Sequence, residues 1–129
     1  ALRVRETLIF KDLQGRELYK IQERKARVRD TLKIQLPNDD TVATVKKALI
    51  SPIRARFSIE VENGPDLSAK GNVLNHEYKI KRDDVVIAEI SKKWVRIRDT
   101  YTVDITPGED VMFLLAITTA LDTLADPGM

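Results

Sequence analysis

Along residues 1–105 apolar and polar positions alternate with a period of two, the pattern of a strand with one buried face and one in water. The clearest unit is an apolar-Arg-apolar-Arg tetrapeptide, present as Leu2-Arg3-Val4-Arg5, Ala26-Arg27-Val28-Arg29, Ile53-Arg54-Ala55-Arg56 and Val95-Arg96-Ile97-Arg98. The copies sit inside longer repeats: residues 2–21 align without a gap on 26–45, and residues 21–34 align on 90–103. R-V-R-D-T at 27–31 thus becomes R-I-R-D-T at 96–100. Self-similarity of this kind predicts a domain assembled from repeated strand units. Leu2/Val4, Ala26/Val28, Ile53/Ala55 and Val95/Ile97 should point inward, and the Arg pairs outward. Turn chemistry separates the units at Leu13-Gln14-Gly15, Pro37-Asn38-Asp39-Asp40, Asn63-Gly64-Pro65-Asp66 and Arg82-Asp83-Asp84. The spacing predicts about ten strands over residues 2–105, arranged as an antiparallel sandwich or barrel.

The pattern then changes. Thr106-Pro107-Gly108-Glu109 fits a capping box, with Thr106 as N-cap, Pro107 as first helical residue and Glu109 three residues on. A helix over about 107–125 follows, stopped by Asp126-Pro127-Gly128. Residues 111–117 are apolar on all sides of the axis, which predicts burial of Phe113, Leu114, Leu115 and Ile117 within a sheet that wraps round the helix. The apolar run 111–121 falls well short of the roughly 20 residues that cross a bilayer.

Composition sets the outer bounds. At 129 residues the chain predicts one domain over 1–129. The formal charge of +2 conceals an asymmetry: all 22 Lys and Arg lie in residues 1–98, while 99–129 hold six acids and no base. A basic body of this kind admits an anionic partner. With no cysteine there is no disulfide, thiolate catalysis or sulfur-ligated zinc. His76 is the lone histidine; a serine hydrolase would need it beside Ser51, Ser58, Ser68 or Ser91, and no Gly-x-Ser-x-Gly elbow occurs. Asp39/Asp40 and Asp83/Asp84 fall where turns favour Asp for its own backbone hydrogen bonds. The expectation is a non-catalytic chain without metal or cofactor, with His76 an ordinary strand-edge residue.

The candidate ligand-binding residues are Arg27, Arg29, Arg96 and Arg98, with Lys92, Lys93 and Trp94 beside the second pair. Guanidinium groups donate two parallel hydrogen bonds to a phosphate, so such a face suits an anionic lipid headgroup. The competing reading is a solvated surface on which these cations pair with Glu23, Glu60, Glu89 or Asp99. Nucleic acid is not expected as a partner, because aromatics are only 5% and no stacking platform is visible.

Ser91-Lys92-Lys93-Trp94, Arg98-Asp99-Thr100-Tyr101, Gly108-Glu109-Asp110 and an apolar helix containing Asp122 together resemble the LURP-one-related family, closest to its bacterial branch. His76-Glu77-Tyr78 and Val42-Ala43-Thr44-Val45-Lys46-Lys47 fit the same pattern, so the similarity runs from about residue 8 to 122. The resemblance implies a tubby-C-terminal-like fold, a β-barrel threaded by a central apolar helix, shared with phospholipid scramblases. It implies a further strand unit before Ala1, without which one sheet edge stands open to self-association. Some tubby-like relatives bind phosphoinositides, so the resemblance implies a cytoplasmic protein peripheral to a membrane. A scaffold or protein-interaction domain without a small ligand is the alternative.

Overall fold

The alternation becomes a meander in a computed structural model of the chain, which describes residues 7–24, 31–72, 74–91 and 102–125. Nine strands follow one another in sequence order across a single antiparallel sheet: β1 (Thr7–Lys11), β2 (Glu17–Arg24), β3 (Thr31–Gln35), β4 (Thr41–Leu49), β5 (Arg54–Val61), β6 (Leu67–Asn72), β7 (Glu77–Arg82), β8 (Val85–Ser91) and β9 (Thr102–Ile105). One helix, α1 (Val111–Ala125), completes the fold. The expected R-V-R-D-T and R-I-R-D-T strand equivalence lies outside the described residues. In the weaker copy of the repeat Ala55 is buried and Arg54 and Arg56 are exposed, as expected, but Ile53 precedes the strand and faces solvent.

All four expected turns form. Asp12 closes the first with its own carboxylate, which accepts from the backbone N–H of Gln14 and of Arg16. Asn38 accepts from the N–H of Asp40, and Asp66 from that of Val61. Asp83 and Asp84 both take positive φ, 50° and 66°, which a two-residue hairpin turn matched to strand twist requires. The acid pairs therefore serve the backbone, as their residue type suggested.

One sheet face is the core. Ile21, Leu32, Ile34, Val45, Phe57, Ile59, Ile80 and Ile90 pack there with Leu114, Ile117 and Leu121 of α1. Gly71, opposite Tyr78 in the register, leaves space that no other residue could: a Cβ would stand 1.9 Å from the Glu77 carbonyl oxygen. The Tyr78 ring then meets Phe57 edge-on, centroids 5.8 Å apart.

The helix packs against β2, β3 and β4 and also against β9, so the sheet curls and its two margins meet the same helix. It does not close into a barrel: β1 and β9 are its ends, and no pairing joins them among the described residues. The physical reason lies in α1. At 3.6 residues per turn its buried side chains cover roughly 200° of arc. Leu115, Thr119, Asp122 and Thr123 remain half-exposed and Met112 exposed on the other side. Leu114 and Ile117 are buried as expected, whereas Phe113 and Leu115 are only half-buried. A curled open sheet suffices to cover such a stripe.

The helix start also differs from expectation. Thr106 stays tied to β8, its N–H donating to the Ile87 carbonyl, and residues 106–109 form a turn in which Gly108 takes φ +93°. Asp110 is the N-cap instead: its Oδ1 accepts from the Phe113 N–H at 3.1 Å, and its carbonyl accepts the first helical bond from Leu114. Glu109, released from capping, turns to Arg82 of β7 in a bidentate pair with both contacts at 2.8 Å.

Candidate functional site

The residues singled out from the sequence, Arg27, Arg29, Lys92, Lys93, Trp94, Arg96 and Arg98, lie outside the described residues. The described part of the outward Arg face is Arg54 and Arg56 of β5, and the register joins them to further cations. Arg56 stands opposite Lys70 of β6, and Lys70 opposite Lys79 of β7. The row continues to Glu89 of β8 and Asp104 of β9. Three cations thus occupy directly facing positions on three adjacent strands, and all three are exposed.

Like charges at facing positions repel, because opposed side chains start only about 5 Å apart. Elsewhere among the described residues four cations are neutralised within the fold, although Lys11 and Lys33 are not. Lys46 takes Glu60 at 2.9 Å, Arg16 takes Asp12 at 2.8 Å, Lys20 takes Asp39, and Arg82 takes Glu109. No carboxylate among the described residues lies within ion-pair distance of Arg54, Arg56, Lys70, Lys79 or Lys81. Glu60, one of the partners expected for the Arg pairs, is occupied by Lys46, and Glu89 faces Lys79 without closing on it. A shallow hollow of about 530 Å³ lies over this region, lined by Arg54, Lys70, Lys79 and Lys81 and bounded by Glu89 and Asp104. Glu77 lines it as well, so four cations meet three carboxylates there, with the cations gathered on the β5–β7 side and Glu89 and Asp104 on the β8–β9 side.

Lys70, Lys79 and Lys81 escaped the sequence reading, though a signal existed. Tyr78-Lys79-Ile80-Lys81 repeats the apolar-base alternation with Lys in place of Arg, and Tyr78 and Ile80 are buried as that alternation demands.

His76 is not an ordinary strand-edge residue. It occupies the β6–β7 turn at φ 52°, and its Nδ1 lies 2.6 Å from the Asp122 carboxylate of α1. Left-handed backbone is costly for a residue with a Cβ, and here it aims the imidazole at the helix. Tyr78 sits beneath with its hydroxyl buried and without a hydrogen-bond partner. Burial, and secondarily the Asp122 charge, push the phenol far above its ordinary pKa. Lys47 of β4 completes the anchoring, its Nζ donating to the Leu124 carbonyl at 2.9 Å, where α1 itself carries no basic residue. Among the described residues no cluster of three His, Cys, Asp or Glu could hold a metal ion, and no helix is long and apolar enough to cross a membrane.

A family model described as LURP-one-related matches residues 1–122. No curated protein and no solved structure matches the chain.

Proposed function

The chain belongs to the LURP-one-related family, and from that premise we propose that it is a non-catalytic module that binds anionic phospholipid headgroups through the outer face of its sheet. The observation that carries this reading is the unneutralised row Arg56–Lys70–Lys79, flanked by Arg54 and Lys81 over a shallow hollow. A fold that pairs Lys46, Arg16, Lys20 and Arg82 internally keeps these five cations free for an external anion. The antiparallel sheet curled round α1 stops short of the closed barrel that the resemblance to tubby-C-terminal-like proteins implies.

Each cation near an anionic surface contributes about 1 kcal/mol, so the row supports weak, reversible, salt-sensitive binding at a membrane periphery. The test is co-sedimentation with phosphatidylserine-containing vesicles at low and physiological salt. Reversing Arg56, Lys70 and Lys79 to Glu should abolish pelleting at low salt and leave the circular dichroism spectrum unchanged, because all three side chains are exposed. Wild-type protein that stays in the supernatant at low salt would refute the reading.

A second reading, self-association through a sheet edge, has its own observation. β1 is an end strand, and Leu8 and Ile9 on it are both exposed. Unpaired edges with apolar side chains invite pairing with a second copy. Light scattering that shows a monomer at all accessible concentrations would exclude it.

A further inference from the structure

In a nine-strand meander the connections fall alternately at the two ends of the sheet. The β4–β5 and β6–β7 turns share one end, as the pairs Leu49↔Ala55, Arg54↔Asn72 and Asn72↔Glu77 place them there together. Both turns end in apolar side chains held in solvent: Ile50 is 54% exposed, Ile53 41% and Leu74 68%. We propose that this end docks on an anionic bilayer, with Ile50, Ile53 and Leu74 entering the interface while the outer-face cations meet the headgroups. The inference rests on the headgroup reading above and adds the orientation and the depth of contact.

Three features support it. The tips adjoin the cations: Arg54 follows Ile53 directly, and the Arg56–Lys70–Lys79 row lies two residues farther along the strands. At roughly 3.4 Å per residue the row is about 10 Å from Ile53, within reach of the depth at which apolar side chains seat in a membrane interface. The turns also satisfy their own backbone, as entry into a less polar medium requires. The N–H groups of Ile50 and Ser51 both donate to the Arg54 carbonyl, and the Asn72 carboxamide oxygen accepts from the N–H of Leu74 and of Asn75. Finally, the opposite end carries apolar tips too, Leu13 being fully exposed, yet there they stand among Asp12, Asp39, Asp40, Asp83 and Asp84, which an anionic surface repels. Charge, rather than hydrophobicity, selects the end that docks.

The chain has no cysteine, so Ile53→Cys, Leu74→Cys and Leu13→Cys can each carry a single environment-sensitive nitrobenzoxadiazole label. The labelled proteins are mixed with phosphatidylcholine vesicles containing about one-third phosphatidylserine, an anionic surface of the kind that attracts cationic faces. Fluorescence and pelleting are read on the same samples. Label at 53 and 74 should brighten severalfold and shift to the blue in step with pelleting, and label at 13 should not change. Unlabelled protein with Ile53→Ser and Leu74→Ser should lose about tenfold in vesicle affinity. Pelleting without brightening at 53 and 74, or with equal brightening at 13, overturns the orientation and leaves headgroup binding standing. No pelleting of unlabelled wild-type protein at low salt overturns both.

Discussion

The two ends of the sheet are built from the same meander and differ in charge. The connections at one end, residues 12–16, 36–40, 62–66, 83–84 and 106–110, hold nine acids and one base. Those described at the other, residues 50–53 and 74–76, hold no acid at all, and Arg54 and Lys47 stand beside them on β5 and β4. The acids are there for turn chemistry: Asp12, Asp66, Asp83 and Asp84 each satisfy a backbone group or take a left-handed conformation. At the other end neutral side chains meet the same demand, Asn72 and Ser51 accepting from backbone N–H groups, and the tips are apolar. The helix runs from the acidic end to the basic one, with Asp110 at its N-terminus and Lys47 at its C-terminus. That direction suits its macrodipole at both ends. Charge sorting and helix orientation therefore reinforce one another, and a single asymmetry organises the molecule.

Three substitutions probe that asymmetry, beginning with the largest effect. Gly71→Ala, near the basic end, should cost about 3 kcal/mol, because its methyl would collide with the Glu77 backbone and neither strand has room to give. Urea unfolding measures the loss, and hydrogen exchange should show β6 and β7 opening ahead of the acidic-end turns. An unchanged midpoint would mean that the β6–β7 register is not the one described.

Lys47→Met keeps the buried stem and removes the charge that caps α1. It should cost about 1–2 kcal/mol, the worth of a charge-assisted bond to a helix C-terminus. A thermal midpoint equal to that of the parent would show that the basic end does not hold the helix through Lys47.

At the acidic end the anchor is weaker and depends on pH. Hydrogen bonds from Arg82 hold the Glu109 carboxyl below its ordinary value, and the Arg16 backbone N–H does the same for Asp12. A carboxyl depressed in the folded state contributes stability above its unfolded pKa, and that contribution disappears as pH falls through the folded value. Stability should therefore decline on acidification below about pH 4.5, the ordinary Glu109 value. Glu109→Gln should flatten part of that decline while lowering stability only slightly at neutral pH, where exposed pairs contribute little. A decline as steep in the variant as in the parent would remove Arg82–Glu109 from the account.

Much of this fold was legible in the chain. Period-two alternation locates β5 and β7, where Ala55, Phe57, Ile59, Tyr78 and Ile80 are buried and their neighbours are not. Asp, Asn and Gly clusters locate the turns, since their conformational preferences are local. The candidate site was legible only in part. The Arg repeat led to Arg27, Arg29, Arg96 and Arg98, which lie outside the described residues. It drew attention from Arg54 and Arg56 of its weaker copy and from Lys79, which follows the same alternation with Lys in place of Arg. Lys70 gains meaning only beside Arg56.

By itself the sequence determined what depends on short range: which residues alternate, where the chain turns, that residues near 111–125 form a helix and that the core is apolar. Tertiary structure decided everything that depends on which distant residues face one another. The register set Arg56, Lys70 and Lys79 in one row, and the alternation of a meander gathered the acidic turns at one end of the sheet. Competition moved the helix cap from Thr106 to Asp110, because β8 claims Thr106 for its own backbone pairing. The extent of sheet curvature was likewise not written in the apolarity of α1, since a helix half lined with Thr119, Asp122 and Thr123 requires cover on one side only.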